Sequence, residues 1–264
     1  MDPLQPRERE AIEAIADRLV DLQNLLFVTG AGVSADSGLP TYRGVGGLYD
    51  DGQTEDDLPI EVCLSGQMFR RDPARTWKYI RQIEQACRGA RPNLAHTRIA
   101  ELERTRERVW VLTQNVDGLH AAAGSTKLIP IHGDVHRLAC TRCDWRAQVV
   151  DYAELEPLPR CPECDAVIRP EVVLFDEMLP LAALADLRRE LDQGFDAVII
   201  IGTSAVFPYV AAPVHQAASQ RKPTIEINPG ESEVSSLVDV HLRLADAIAM
   251  DALWQALARR AGSR

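Results

Sequence analysis

Residues 25 to 44 read Leu25-Leu26-Phe27-Val28-Thr29-Gly30-Ala31-Gly32-Val33-Ser34-Ala35-Asp36-Ser37-Gly38-Leu39-Pro40-Thr41-Tyr42-Arg43-Gly44. The apolar run Leu25 to Val28 suits a buried strand. Gly30-Ala31-Gly32 lets the backbone turn tightly and approach a ligand, because glycine has no Cβ to obstruct it. Ser34, Ala35 and Ser37 then suit a helix opening whose free amides face a diphosphate. Strand, Gly-x-Gly turn and helix start together predict a dinucleotide-binding unit, with Gly30, Ala31, Gly32, Ser34 and Ala35 as candidate cofactor residues. Ala35 stands where the third glycine of such a turn usually sits. The ribose-binding acid expected about twenty residues on is missing, because that region is the loop Gly46 to Gly52. Alone, the two glycines are equally a plain strand-to-helix turn.

Working outward, the chain has 264 residues, 46% of them hydrophobic and 26% charged, enough for one large domain or a large and a small one. A formal net charge of −10 argues against non-specific binding to nucleic acid or an acidic membrane surface. The first twenty residues are charged and lack a continuous apolar core, so no signal peptide is expected. The most apolar stretch, Ala197 to Val214, contains Gly202, Pro208 and Pro213, and reads as a buried strand followed by a loop, not a membrane span. A soluble, cytoplasmic protein is expected.

Ahead of the anchor strand, residues 7 to 23 carry Ile12, Ile15, Ala16, Leu19 and Leu22 at helical spacing. Beyond it, residues 45 to 91 hold an acidic, glycine-rich loop and then helical stretches with Phe69, Trp77, Tyr79, Ile80 and Ile83, which interrupt strand-helix alternation as an inserted helical module. Alternation resumes with a helix from Leu94 to Arg104 and a strand from Val109 to Thr113. Gln114-Asn115-Val116-Asp117 follows, polar groups at the carboxyl end of a parallel strand, where open α/β sheets bind ligands. Asn115 and Asp117 also fit as turn formers capping the next helix. A second short strand, Leu128 to Ile131, ends in His132-Gly133-Asp134, which makes His132 a base candidate on the ligand edge.

Cys140-Thr-Arg-Cys143 and Cys161-Pro-Glu-Cys164 are separated by 17 residues, a spacing that matches a tetrahedral four-thiolate zinc site. Four protein ligands leave no open coordination position, so the zinc is expected to be structural. A nucleic-acid-binding ribbon competes with this reading, yet residues 135 to 170 hold five arginines against six acids, which is no basic patch. Further on, residues 171 to 179 read as a strand and loop, and Leu181 to Leu191 as a helix. The apolar strand Ala197 to Ile201 ends in Gly202-Thr203-Ser204, small hydroxyl residues suited to a cofactor's phosphates or ribose. Thr224 to Asn228 repeats the pattern, and an amphipathic helix over Ala245 to Ala258 closes the chain.

Taken together these motifs resemble the sirtuins, the NAD-dependent protein deacylases. The residues that carry the resemblance are Gly30 to Ser34, Ser37 to Pro40 with Arg43, Gln114 to Asp117, His132-Gly133, the two cysteine pairs, Val172 to Phe175, Gly202 to Ser204 and Ile227-Asn228, in family order. The resemblance implies an α/β fold: a Rossmann-type parallel-sheet large domain (1–44, 92–134 and 171–264), and a small domain formed by a helical insertion (45–91) and a zinc-binding insertion (135–170). It implies transfer of an acyl group from protein lysine to ADP-ribose, with NAD consumed as co-substrate, nicotinamide released and His132 the general base. Asn115 and Asp117 are implied to hold the nicotinamide carboxamide and ribose, and Gln114, with Val116 beside it, to contact the ribose. Tyr42 and Arg43 belong to the mobile cofactor loop; Gly202, Thr203, Ser204, Asn228 and Ala245 take the adenosine side; Val173, Leu174 and Phe175 meet acyl-lysine substrates.

The sequence departs from the family pattern at Tyr42, usually Phe, at Asp176, usually Gly, and in a loop that reaches Pro208 one residue sooner after Ser204. Asp176 is expected to favour basic residues flanking the acyl-lysine. The Tyr-x-x-Arg signature of desuccinylating relatives is absent, since Gln82 follows Tyr79 at that spacing and Arg81 is out of register. Deacetylation is therefore expected over desuccinylation. Mono-ADP-ribosyl transfer to protein, or NAD hydrolysis, is the alternative on the same fold; a non-catalytic NAD- or peptide-binding module is the reading from another class.

Overall fold

The computed structural model describes residues 4–40 and 54–262. Helix α1 (Pro6–Leu19) leads into strand β1 (Asn24–Thr29). Pro6 takes the first helical position, where no amide partner is needed. After β1 the glycine turn opens a helix, which is a 3₁₀ segment, Ala31–Ser37, and Gly38 stops it at φ +82°. Tyr42, Arg43 and the loop Gly46 to Gly52 lie outside the described residues. Three helices follow, α2 (Ile60–Cys63), α3 (Gly66–Arg71) and α4 (Pro73–Cys87), and then α5 (Leu94–Thr105). The chain continues through β2 (Arg108–Thr113), α6 (Leu119–Ala122), β3 (Leu128–Pro130), β4 (Gly133–Cys140), β5 (Arg146–Gln148) and β6 (Ile168–Val172). It closes with α7 (Leu181–Gln193), β7 (Ala197–Ile201), α8 (Pro208–Ser219), β8 (Thr224–Ile227), β9 (Val240–Leu242) and α9 (Asp246–Gly262).

Six strands form one parallel sheet in the order β3-β2-β1-β7-β8-β9. The order runs outward in both directions from β1 and β7, so their carboxyl ends mark the switch point where doubly wound sheets bind ligands. Both faces are covered, and the side chains divide between them with period two. Leu25, Phe27, Ala197, Ile199 and Ile201 join the core under α1, α5 and α9. Leu26, Val28, Val198 and Ile200 join the core under α7 and α8. A second sheet, antiparallel in the order β5-β4-β6, shares a third core with α2, α3 and α4 through Trp77, Tyr79, Ile80, Leu138, Tyr152 and Ile168. There the indole Nε1 of Trp77 donates to the Ile168 carbonyl at 2.9 Å, which ties the helical segment to β6.

One reading of the sequence is corrected. The loop expected after the strand Ala197–Ile201 gives way at Pro208 to helix α8, with Pro208 in its first turn and Pro213 inside it. Pro208 costs nothing there, because first-turn amides have no helical partner. Val210, Val214 and Ala217 bury one face of α8 against the sheet, and that burial outweighs the hydrogen bond Pro213 removes. Among the described residues no helix is long and apolar enough to cross a membrane.

Beneath the carboxyl end of β1 two histidines are sealed in the core. Their rings meet edge to face at 4.7 Å, and His120 Nε2 lies 3.0 Å from the Thr29 hydroxyl. Burial pushes His96 down to about 4 and His120 well below the ordinary histidine value. Both therefore stay neutral while the unfolded chain takes up protons near pH 6.5, so this contribution to stability is present above 6.5 and is lost as pH falls toward 4. Urea titrations should show the stability of the wild-type protein falling between pH 7 and pH 5 by about 2 kcal/mol more than that of His96→Gln. Equal slopes for the two proteins contradict this account.

Candidate active site and metal centre

The site is built where β1, β2 and β7 end. Gly30 N donates to the Ile201 carbonyl at 3.2 Å and Gly32 N to the Gly202 carbonyl at 2.8 Å. A Cβ on Gly30 would lie 2.6 Å from Thr203 Cβ, and one on Gly32 2.6 Å from Gly202 Cα, so only glycine fits either position. Gly202 itself turns at φ +57°, a conformation glycine adopts without steric cost. These contacts leave a cradle bordered by backbone, with no side chain at either turn glycine.

Polar groups from the three strand ends are wired to this turn. Asn115 Nδ2 donates to the Gly30 carbonyl at 3.0 Å and to the Ser34 hydroxyl at 3.1 Å. Ser34 Oγ donates in turn to Asp117 Oδ2 at 2.7 Å, and the Leu119 amide donates to Asp117 Oδ1 at 2.9 Å. Burial pushes the Asp117 carboxyl upward, and these two donors offset only part of that rise. Gln114 Nε2 donates to Thr203 Oγ1 at 2.8 Å, and Asn228 Nδ2 donates to the Thr203 carbonyl at 3.1 Å. The structure thus brings together Gly30, Gly32, Ser34, Gln114, Asn115, Asp117, Gly202, Thr203 and Asn228. Ala31 and Ala35 lie in the same 3₁₀ segment, Val116 between Asn115 and Asp117, and Ser204 is exposed beyond Thr203.

His132 sits between β3 and β4. Its Nδ1 lies 3.0 Å from the Gln114 carbonyl, which can only accept, so Nδ1 carries the hydrogen and Nε2 the lone pair. Burial lowers its proton affinity below the ordinary 6.5, against the opposing pull of the Gln114 carbonyl, and the ring is neutral at pH 7. Gly133, at φ +88°, lets β4 press against the backbone of Glu171 and Val172. That contact pairs Val173 with the backbone of His132, the Val173 amide donating to the His132 carbonyl at 2.9 Å.

The amides of Leu174 and Phe175 are also committed, to Glu177 Oε2 at 3.0 Å and the Leu64 carbonyl at 2.9 Å. The Leu174 and Phe175 carbonyls accept in turn from the amides of Glu177 and Gly66 at 3.1 and 3.0 Å. Asp176 adopts φ +66°, the left-handed conformation natural to the glycine it replaces. Its carboxylate accepts from the amides of Gly66 and Gln67 at 3.0 and 3.1 Å, at the start of α3. The carboxylate stays exposed and keeps its charge.

Two groups at the site escaped the sequence reading. Tyr209 Oη lies 2.6 Å from His132 Nε2; its signal was the early Pro208, which starts α8 and aims the following side chain back at the strand ends. Asp246, next to Ala245, is buried at the start of α9 against Gly202, and burial together with Asp36 pushes its carboxyl up to about 7. Asp246 Oδ1 and, on β8, Glu226 Oε2 have no hydrogen-bond partner among the described residues. A buried carboxyl oxygen of Asp246 without a partner, on the residue that abuts Gly202, fits a hydroxyl-bearing nucleotide at the glycine turn.

The four cysteines converge as the spacing requires. Their Sγ atoms all lie within 4.8 Å of one another, with Cys140–Cys164 at 3.4 Å and Cys143–Cys161 at 3.5 Å, and no disulfide joins them. The amides of Arg142 and Cys143 point at Cys140 Sγ from 3.3 and 3.4 Å, donors that stabilise a thiolate. Four thiolates in a closed cluster suit a structural zinc ion.

Comparison with known proteins places the chain among NAD-consuming enzymes of the sirtuin type. The Sir2 family model matches residues 30–208, and the chain belongs to the Sir2 family. An NAD-dependent protein deacylase 2 of Pseudomonas aeruginosa is 49% identical over 234 residues, covering 88% of this chain and 91% of its own length. A solved Sir2 homologue in complex with NAD superimposes with a TM-score of 0.84 at 36% identity, over 94% of each chain. A mutant Sir2 homologue bound to 2′-O-acetyl ADP-ribose does so with a TM-score of 0.84 at 36% identity, over 96% of this chain and 98% of that one.

Removal of one thiolate tests the metal centre. Cys140→Ser should lose its zinc and, with it, binding free energy on the order of 10 kcal/mol that helps hold the small sheet. Metal analysis and thermal melting read both effects; a zinc-loaded, equally stable variant contradicts a structural site.

Proposed function

We propose that this chain is an NAD-dependent protein-lysine deacylase that transfers the acyl group to ADP-ribose and releases nicotinamide. The observation that carries the reading is the neutral His132 imidazole, fixed through Nδ1 on the carbonyl of Gln114, the residue whose side chain joins the glycine-turn network through Thr203. The names and complexes of its relatives support the same reaction.

In this reading NAD lies along Gly30, Ala31, Gly32, Ser34 and Ala35, with its nicotinamide end at Gln114, Asn115, Val116 and Asp117. Its adenosine end lies at Gly202, Thr203, Ser204, Asn228 and Ala245. Tyr42 and Arg43 are assigned to the cofactor loop on the family resemblance alone. The chemistry NAD supplies is an electrophilic anomeric carbon, whose bond to nicotinamide breaks as the acyl oxygen of the lysine amide attacks it. Asn115 and Asp117, locked to Ser34 and the backbone, orient that end of the dinucleotide. His132 Nε2 takes a proton from a ribose hydroxyl, whose oxygen then attacks the acyl carbon. Val173, Leu174 and Phe175 present the acylated peptide beside His132. Partners are acyl-lysine proteins, with neither nucleic acid nor membrane contacted directly. Free cysteines at every described position and the acidic surface suit a reducing, cytoplasmic compartment.

This reading favours acetyl over succinyl as the acyl group. Tyr79 is buried and donates to Asp56 Oδ2 at 2.6 Å, while Arg81 donates to the carbonyls of Tyr152 and Leu155 at 3.1 and 2.9 Å. The tyrosine of the signature and the arginine out of register with it are thereby both committed to the protein itself.

His132→Ala should lower turnover of an acetyl-lysine peptide on the order of 10²-fold or more with the fold intact, as loss of a general base requires. Mass spectrometry of the wild-type products should find O-acetyl-ADP-ribose and free lysine peptide only when NAD is present. Label from NAD appearing on protein instead would transfer the assignment to ADP-ribosylation. Succinyl-peptide should be turned over more slowly than acetyl-peptide, and the reverse order would refute the acetyl preference.

A further inference from the structure

The lone pair that the proposed base needs is already in use. The Gln114 carbonyl fixes the hydrogen on Nδ1, so the short contact from Tyr209 to Nε2 is a phenol O–H donating to the imidazole. Burial pushes the Tyr209 phenol up to about 12, so it keeps its proton at any physiological pH. The arrangement is held from several sides. Tyr209 is the second residue of α8, behind the proline that fixes its backbone entry. Phe207 stacks on its ring at 5.4 Å with the planes 12° apart. Both rings meet the imidazole edge to face at 5.9 Å. Val206 and Phe207 are 62% and 42% exposed, so the aromatic pair reaches the protein surface.

A single lone pair cannot accept from two donors at full strength. We propose that Tyr209 is a positioning residue whose phenol holds His132 through Nε2 until a ribose hydroxyl of the dinucleotide displaces it, so that Tyr209 sets the affinity for the distal ribose. The proposal rests on His132 as the base of the deacylase reading. It gives α8 a part in the reaction: the early helix start brings a hydroxyl to the atom where the ribose proton is to be taken. The ring of His132 stays aimed and neutral in the empty enzyme, at the cost of a hydrogen bond that cofactor binding must exchange.

The test is calorimetric and does not depend on turnover. ADP-ribose carries the distal ribose hydroxyls and ADP lacks them, so the ratio of their affinities isolates the exchange at Nε2. In Tyr209→Phe, which keeps the ring stacked on Phe207, ADP-ribose should gain affinity relative to ADP by about fivefold over the wild-type ratio, the size of one net hydrogen bond. An unchanged ratio, or one that falls because the phenol itself holds the ribose, overturns the proposal while leaving the deacylase reading standing. Failure of the wild-type protein to bind either nucleotide overturns that reading, and the role of Tyr209 with it.

Discussion

Two pieces of backbone in contact at the centre of the sheet govern this molecule. The turn after β1 and the end of β7 touch main chain to main chain, Gly32 N on the Gly202 carbonyl at 2.8 Å, with no room for a Cβ on either glycine of the turn. Because β1 and β7 are the middle strands, that contact fixes the carboxyl edge of the whole sheet. It also keeps side chains off both turn glycines, so that backbone borders the edge where the 3₁₀ segment begins.

The polar residues around the turn support one another as a connected network. Asn115, Ser34 and Asp117 form a chain of donors and acceptors between two strand ends, and Gln114, Thr203 and Asn228 form another between three. In a half-buried site an unpaired polar atom costs more than a made bond returns, so these pairs hold each other in single rotamers. The exceptions are carboxyl oxygens, on Glu226 and Asp246, and they sit on the side assigned to adenosine. His132 differs again: its far nitrogen is satisfied by an aromatic hydroxyl from α8, a neighbour 77 residues away in sequence.

The small sheet and the helical insertion share one core, which explains how two separated stretches behave as a unit. Trp77 and Tyr152 meet edge to face at 5.5 Å, and Arg81 from α4 donates to carbonyls of the 152–155 segment. A three-stranded sheet whose outer strand β5 has only three residues buries little apolar surface of its own. The four-thiolate centre and the helices supply the constraint it lacks.

Much of this was legible along the chain because it depends on local residue type. Gly30 and Gly32, the apolar strands at 25–28 and 197–201, the two cysteine pairs and His132-Gly133 each announce a backbone conformation or a chemistry without reference to distant residues. The sirtuin family was readable from their order alone. What the sequence could not decide arose wherever burial and long-range contact overrode local preference. Pro208 and Pro213 read as loop, yet packing of Val210 and Val214 on the sheet made a helix of them. That the carboxylate of Asp176 would take the two amides at the start of α3 was likewise not legible, because α3 lies some 110 residues away in sequence. Tyr209 and Asp246 carry no motif; only the fold, by bringing helix starts to strand ends, placed one against the imidazole and the other against the glycine turn.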